Sequence, residues 1–113
     1  MPITKRFFSG SSGGRSIALG TGLTTIHTSV STVSDMDEVF FYVHNLATVS
    51  RIATAYVGAT AAKDKVTQSI PPRDGLYLVG PGQPLGLGKI LKALATAGAT
   101  TLTAHGWVNR LDQ

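Results

Sequence analysis

The chain has 113 residues, enough for one packed domain and too few for two. Apolar residues make up 42% and charged residues only 14%, which excludes a disordered tail and leaves an exterior suited to facing other subunits. The net charge of +4 comes from basic residues spread along the chain, which argues against direct nucleic-acid contact, and the lack of cysteine excludes disulfide frameworks, thiolate nucleophiles and Cys-based zinc sites.

Residues 1–20 read as an extended N-terminal arm. Lys5 and Arg6 abut Phe7 and Phe8, and residues 9–14 are only serine and glycine, which have no side chain large enough to pack and resist order. Fixing the arm's first fifteen residues costs on the order of 15–30 kcal/mol, which calls for roughly 600–1,200 Å² of apolar contact. A small domain offers little such surface to its own arm, so the arm is expected to lie on a neighbouring protein. Ile3, Phe7 and Phe8 would bury against that neighbour, and Lys5, Arg6 and Arg15 would answer its acidic residues.

Residues 21–113 read as one domain of short strands separated by turns. Over 24–30, Ile26, Thr28 and Val30 alternate with Thr25, His27 and Ser29, and 31–35 form a polar turn. Val39, Phe40, Phe41, Tyr42 and Val43 follow one another within 38–46, which suits a strand covered on both faces. After a turn at 45–48, residues 50–57 set Ala53, Ala55 and Val57 against Ile52, Thr54 and Tyr56. A small-residue loop over 58–64 leads to a strand over 65–70, ended by Pro71 and Pro72 because proline cannot donate to a ladder. Arg73, Asp74 and Gly75 signal a turn, and 76–79 a buried strand.

Glycine and proline dominate 80–88, which is therefore expected to be an irregular loop. The stretch 89–95 carries good helix formers, yet the spacing of its neighbours, about ten residues apart, favours a strand. Residues 100–109 close the series with Leu102, Ala104, Gly106 and Val108 on one face. Roughly seven to nine short strands and no long helix predict an all-β fold, a single antiparallel β-sandwich or jelly roll. The longest apolar run, 39–43, is far short of the ~20 residues of a membrane helix, and the N-terminus lacks a secretory apolar region, so a soluble protein is expected.

Candidate chemistry is sparse. His27, His44 and His105 fall on three different strands without a metal-ligand spacing, so ordinary strand histidines are expected and no metal or cofactor is. Asp35, Asp37 and Glu38 lack the alternating oxygen ligands of a calcium loop and read as a solvated turn. No nucleophile elbow is present. The segment before Lys89 fails as a phosphate loop, because Gln83 and Ile90 stand where glycine and a hydroxyl residue are required. Strand alternation points Trp107 outward with His105 and Asn109, as an interface anchor or a sugar-stacking platform, unless both faces of its strand are buried. Few aromatics, 7%, disfavour a lectin.

Several short motifs carry a likeness: Thr25-Ile-His-Thr28; Asp37-Glu-Val39 leading to Tyr42, Val43 and Asn45; Ile70-Pro-Pro72 before Gly75 and Leu76; Pro81-Gly-Gln-Pro-Leu85; and Gly106-Trp-Val-Asn-Arg110. On these the chain resembles small β-sandwich structural proteins of tailed bacteriophage virions. The resemblance implies a non-enzymatic subunit of the virion, assembled in the host cytoplasm. A capsid decoration (cement) protein, trimeric or dimeric and seated on the major capsid protein, is expected. A head–tail connector or tail-completion subunit on a neck protein is the alternative, and virion subunits of this kind commonly tie themselves together with extended arms. A carbohydrate- or peptide-binding module using 80–88 and Trp107, and a subunit facing nucleic acid, are the remaining readings.

Overall fold

A computed structural model describes residues 3–96 and 101–112. Apolar residues at every second position generate strands, and among the described residues there are nine: β1 (Ile3–Arg6), β2 (Ile17–Leu19), β3 (Thr24–Thr28), β4 (Met36–Asn45), β5 (Arg51–Gly58), β6 (Lys65–Ile70), β7 (Tyr77–Leu85), β8 (Ile90–Ala95) and β9 (Leu102–Leu111). Pairing is nested: β5 with β6, β4 with β7, β3 with β8 and β2 with β9, all antiparallel. This is one long hairpin. Rolled up through the β4–β9 and β5–β8 ladders, it yields the two facing sheets β2–β9–β4–β7 and β3–β8–β5–β6. The fold is the all-β antiparallel sandwich that the sequence predicts, wound as a jelly roll.

Large side chains from one sheet meet small ones from the other. Val39, Phe41 and Val43 of β4 and Leu102 and Val108 of β9 face Ala53, Ala55, Ala93 and Ala95, all buried. Each buried Val, Leu or Phe contributes about 1.5–3 kcal/mol. The free space beside Val39, Phe41, Ala55 and Val57 is about 10 Å³, room for one water at most, so the interior is a packed core and not a ligand chamber.

The N-terminal segment departs from expectation. It does not leave the domain: β1 pairs along β9 from Val108 to Leu111, and β2 pairs along the same edge from Leu102 to Ala104. Between them Phe8 enters the core at 3% exposure, with its ring edge-on to Phe41 at 6.4 Å. The Gly10 amide then donates to the Ile26 carbonyl of β3 at 2.9 Å. The segment thus laces one sheet to the other and returns. A ladder of backbone hydrogen bonds and one core ring hold it, whereas the sequence argument counted apolar area alone. Residues 1 and 2 of the predicted arm lie outside the described residues.

Several strand predictions are corrected. Residues 80–85 are not a loop but continue β7, whose register against β4 shifts at Val39/Phe40 and at Phe41/Tyr42. Those irregularities, on an edge strand, accommodate Pro81 and Pro84. Being at the edge also exposes Leu76 and Leu78, which were expected to be buried. β4 is covered on one face only, Leu46 lies exposed beyond its end, and a bulge in β3 turns both Ile26 and His27 inward. The stretch 89–95 does form a strand, β8, with Leu91, Ala93 and Ala95 facing the core. The last strand runs to Leu111, and position 100, at the start of its predicted range, lies outside the described residues.

Candidate functional site

Alternation along β1 and its register with β9 place Lys5 beside Asn109 on the outer face of the sheet, next to Trp107. Trp107 is held on both sides. Phe40 stacks on it with centroids 5.0 Å apart and planes 13° from parallel, and Tyr42 lies at 5.9 Å and 24°. Lys5 Nζ sits 5.3 Å from the ring centroid. Because β9 lies between β1 and β4, the lysine reaches the indole from one neighbouring strand and the aromatics from the other. The indole is thus engaged by side chains from both neighbouring strands.

Where β1 ends, Phe7 turns to solvent at 63% exposure while Phe8 turns in. An open groove of about 770 Å³ forms there, lined by Lys5, Arg6, Phe7, Trp107 and Arg110, with Gly14 and Ser9 among its other walls. Among the described residues no carboxylate lines it. The indole Nε1 of Trp107 is buried at its margin without a hydrogen-bond partner.

Beneath the groove a polar network ties the sheets together. Arg110 donates from Nε to Asp37 Oδ1 at 2.8 Å and from Nη2 to Oδ2 at 3.0 Å. His27 Nε2 lies 2.8 Å from Asp37 Oδ2, and the Val30 amide donates to the same oxygen at 3.1 Å. Asp37 is 0% exposed, which corrects the reading of residues 35–38 as a solvated turn. Burial alone would push its carboxyl pKa up; the hydrogen bonds from Arg110, His27 and Val30 together outweigh burial and hold it below the usual value. The same contact with Asp37 raises Arg110 further.

Ser9, His27 and Asp37 have the composition of a catalytic triad but not its wiring. The Ser9 amide, not its hydroxyl, donates to His27 Nδ1 at 3.0 Å, which leaves the Nε2 proton for Asp37. Ser9 Oγ instead accepts from the Thr28 amide at 2.7 Å. No nucleophile is poised at this histidine.

His44 and His105 come together on the outer face with centroids 6.4 Å apart, and His105 Nε2 lies 2.9 Å from Thr103 Oγ1. Burial, and then the nearby His44, lower the His105 pKa. Among the described residues no group of three His, Asp or Glu is arranged to hold a metal.

Of the residues singled out in the sequence, the structure gathers Lys5, Arg6, Phe7 and Trp107 in one groove. Phe8 is a core residue and is withdrawn from the contact set; its position in the extended chain turns it inward. Ile3 is exposed at the far end of β1 beside Leu111, and Arg15 is exposed in the link to β2. Sequence reasoning missed Arg110, Phe40 and Tyr42 as neighbours of Trp107. Phe40 and Tyr42 already shared one face of their strand, but only the β4–β9 register brings them to Trp107. No protein family, curated protein or solved structure matches this chain.

Proposed function

We propose that this protein is a non-enzymatic structural subunit that adheres to neighbouring protein through the groove of Lys5, Arg6, Phe7 and Trp107. One observation carries the reading: the groove combines cations with an exposed aromatic ring and, among the described residues, has no carboxylate in its lining, on a two-sheet frame. Such a surface takes a partner segment that brings acidic groups to Lys5 and Arg6 and an apolar side chain to Phe7. Rim charges orient the partner, and the aromatic contact supplies the buried centre. The polar groups beneath are engaged with one another and support a frame, not a reaction centre.

Jelly rolls serve as viral shell subunits and also as lectins and sugar-binding or metal-binding domains, so the fold alone selects no role. The contacts of Trp107 with Phe40, Tyr42 and Lys5 weigh against a sugar platform. The motif resemblance favours the virion: a homo-oligomeric capsid decoration (cement) subunit on the major capsid protein, with a neck or tail-completion station as the alternative.

The test is co-sedimentation with particles produced by the genome that encodes the chain. Wild type should travel with intact virions. Lys5→Glu combined with Arg6→Glu, both exposed, should fold normally and stay in the unbound fraction. Particles that lack the chain, or a charge-reversed variant retained at wild-type occupancy, overturn the proposal. Electron cryo-microscopy of the particles separates shell from neck.

A further inference from the structure

The N-terminal segment has the construction of a transferable plug, and we propose that a second copy of this chain accepts it. Residues 3–10 are the plug. The socket is the Val108–Leu111 edge of β9, the slot beside Phe41, His27 and Gly106 that takes the Phe8 ring, and the Ile26 carbonyl and Thr28 amide of β3. A side chain at position 106 would collide with the Phe40 carbonyl and touch the Phe8 ring, so glycine there keeps the slot open.

Residues 11–16 join plug to body. Positions 12–16 are exposed, Gly13 would have no atom within 4 Å of an added Cβ, and Gly13 and Gly14 take φ of 61° and 87°. Two turns fold this link back on itself, through Ser11 N to Phe8 O at 3.0 Å and Arg15 N to Ser12 O at 3.2 Å.

The ladder to β9, the seat of Phe8 and the hydrogen bonds to Ile26, His27 and Thr28 all fall on the body and not on the link. An identical body offers the same contacts, so the self-docked and exchanged forms differ only in the link and in local concentration. A short flexible link holds its plug at an effective concentration on the order of millimolar, so a dilute chain keeps the plug at home. Copies packed side by side offer rival sockets at comparable concentration, and the plug passes between them. The groove then becomes composite, with Lys5, Arg6 and Phe7 of one copy facing Trp107 and Arg110 of the other. This exchange does not rest on what the groove itself binds.

The chain has no cysteine, which makes a crosslinking test clean. Ile3 and Leu111 are register partners. Separate Ile3→Cys and Leu111→Cys proteins, mixed in denaturant and refolded together at high concentration, should yield a disulfide-linked heterodimer in clear excess over the two homodimers combined. Random pairing gives only as much heterodimer as both homodimers together. A heterodimer yield no greater than the sum of the two homodimers overturns the proposal. In a second arm, Gly13→Pro with Gly14→Pro forbids positive φ at both positions and straightens the link. This variant should double its mass on sedimentation, and adding Phe8→Ala should return it to monomer. A proline variant that folds as a monomer, or a dimer that survives Phe8→Ala, counts against exchange. If the proline variant does not fold, the cysteine mixture decides.

Discussion

Phe7 and Phe8 are the same side chain one residue apart, and the fold treats them oppositely. Phe8 is 3% exposed and packs on Phe41 and His27, whereas Phe7 is 63% exposed at the mouth of the groove. The extended backbone throws successive side chains to opposite sides, so the segment has a seated half and a presented half. The seated half, Phe8 to Gly10, holds the sandwich closed. The presented half, Ile3 to Phe7, shows charge and one aromatic ring to whatever comes near. The residues that hold the fold and those that the proposal assigns to adhesion thus lie within a few positions of one another, and substitutions can break or sharpen that division.

The largest effect is expected at Phe8. Phe8→Ala removes a buried ring between two sheets and should cost about 3–5 kcal/mol in urea unfolding. Phe7→Ala should stay within about 0.5 kcal/mol of wild type, since it removes exposed surface. Equal costs would dissolve the comparison. Deletion of residues 2–15, harmless if the arm were free, now carries the Phe8 penalty with it.

Asp37 anchors the seated half from below, through His27 to the Ser9 amide. Asp37→Ala leaves Arg110, the Val30 amide and His27 without their acceptor and should cost roughly 3 kcal/mol. The pH dependence has a definite sign. The folded carboxyl titrates below its unfolded value, so its contribution is fully present above about pH 4 and is lost as pH falls through the lowered folded value. Acid unfolding of wild type should therefore steepen below about pH 4, while Asp37→Ala shows a shallower fall over the same range. Parallel curves would show that Asp37 does not carry this linkage.

The legible part of this molecule was whatever depends on local alternation. Ala53, Ala55 and Val57 wrote the inner face of β5, and Trp107 pointed outward for the same reason. β8, rich in helix formers, was legible only through the roughly ten-residue spacing of its neighbours. What stayed hidden depends on register between distant strands. Asp37 and Arg110 are 73 residues apart, and nothing near Asp37 in the chain announces that its charge is buried. Likewise nothing local distinguishes Phe7 from Phe8; the β1–β9 pairing decides which one enters the core. Lys5, Arg6, Phe7 and Trp107 were all nameable as contact residues, but their meeting in one groove was not. The bulges that admit Pro81 and Pro84 to β7 lie equally beyond a reading by composition, which sees only turn formers there.

A small effect tests the presented half most directly. Lys5 is exposed, yet its ammonium lies over the indole of Trp107, the chain's one tryptophan. Lys5→Met keeps most of the apolar stem and removes the charge, so it should cost roughly 0.5–1 kcal/mol, the worth of an exposed cation–π contact. Trp107 emission should change with it, because the indole loses a nearby cation while Phe40 and Tyr42 stay in place. Phe8→Ala should produce the same emission change by a different route, through release of β1 from the β9 edge. In Lys5→Met the change must come with the seated half intact, visible as an unfolding midpoint close to wild type. If the emission is unmoved in Lys5→Met and moved in Phe8→Ala, the indole senses only whether β1 is docked, and the lysine contributes nothing to the presented surface.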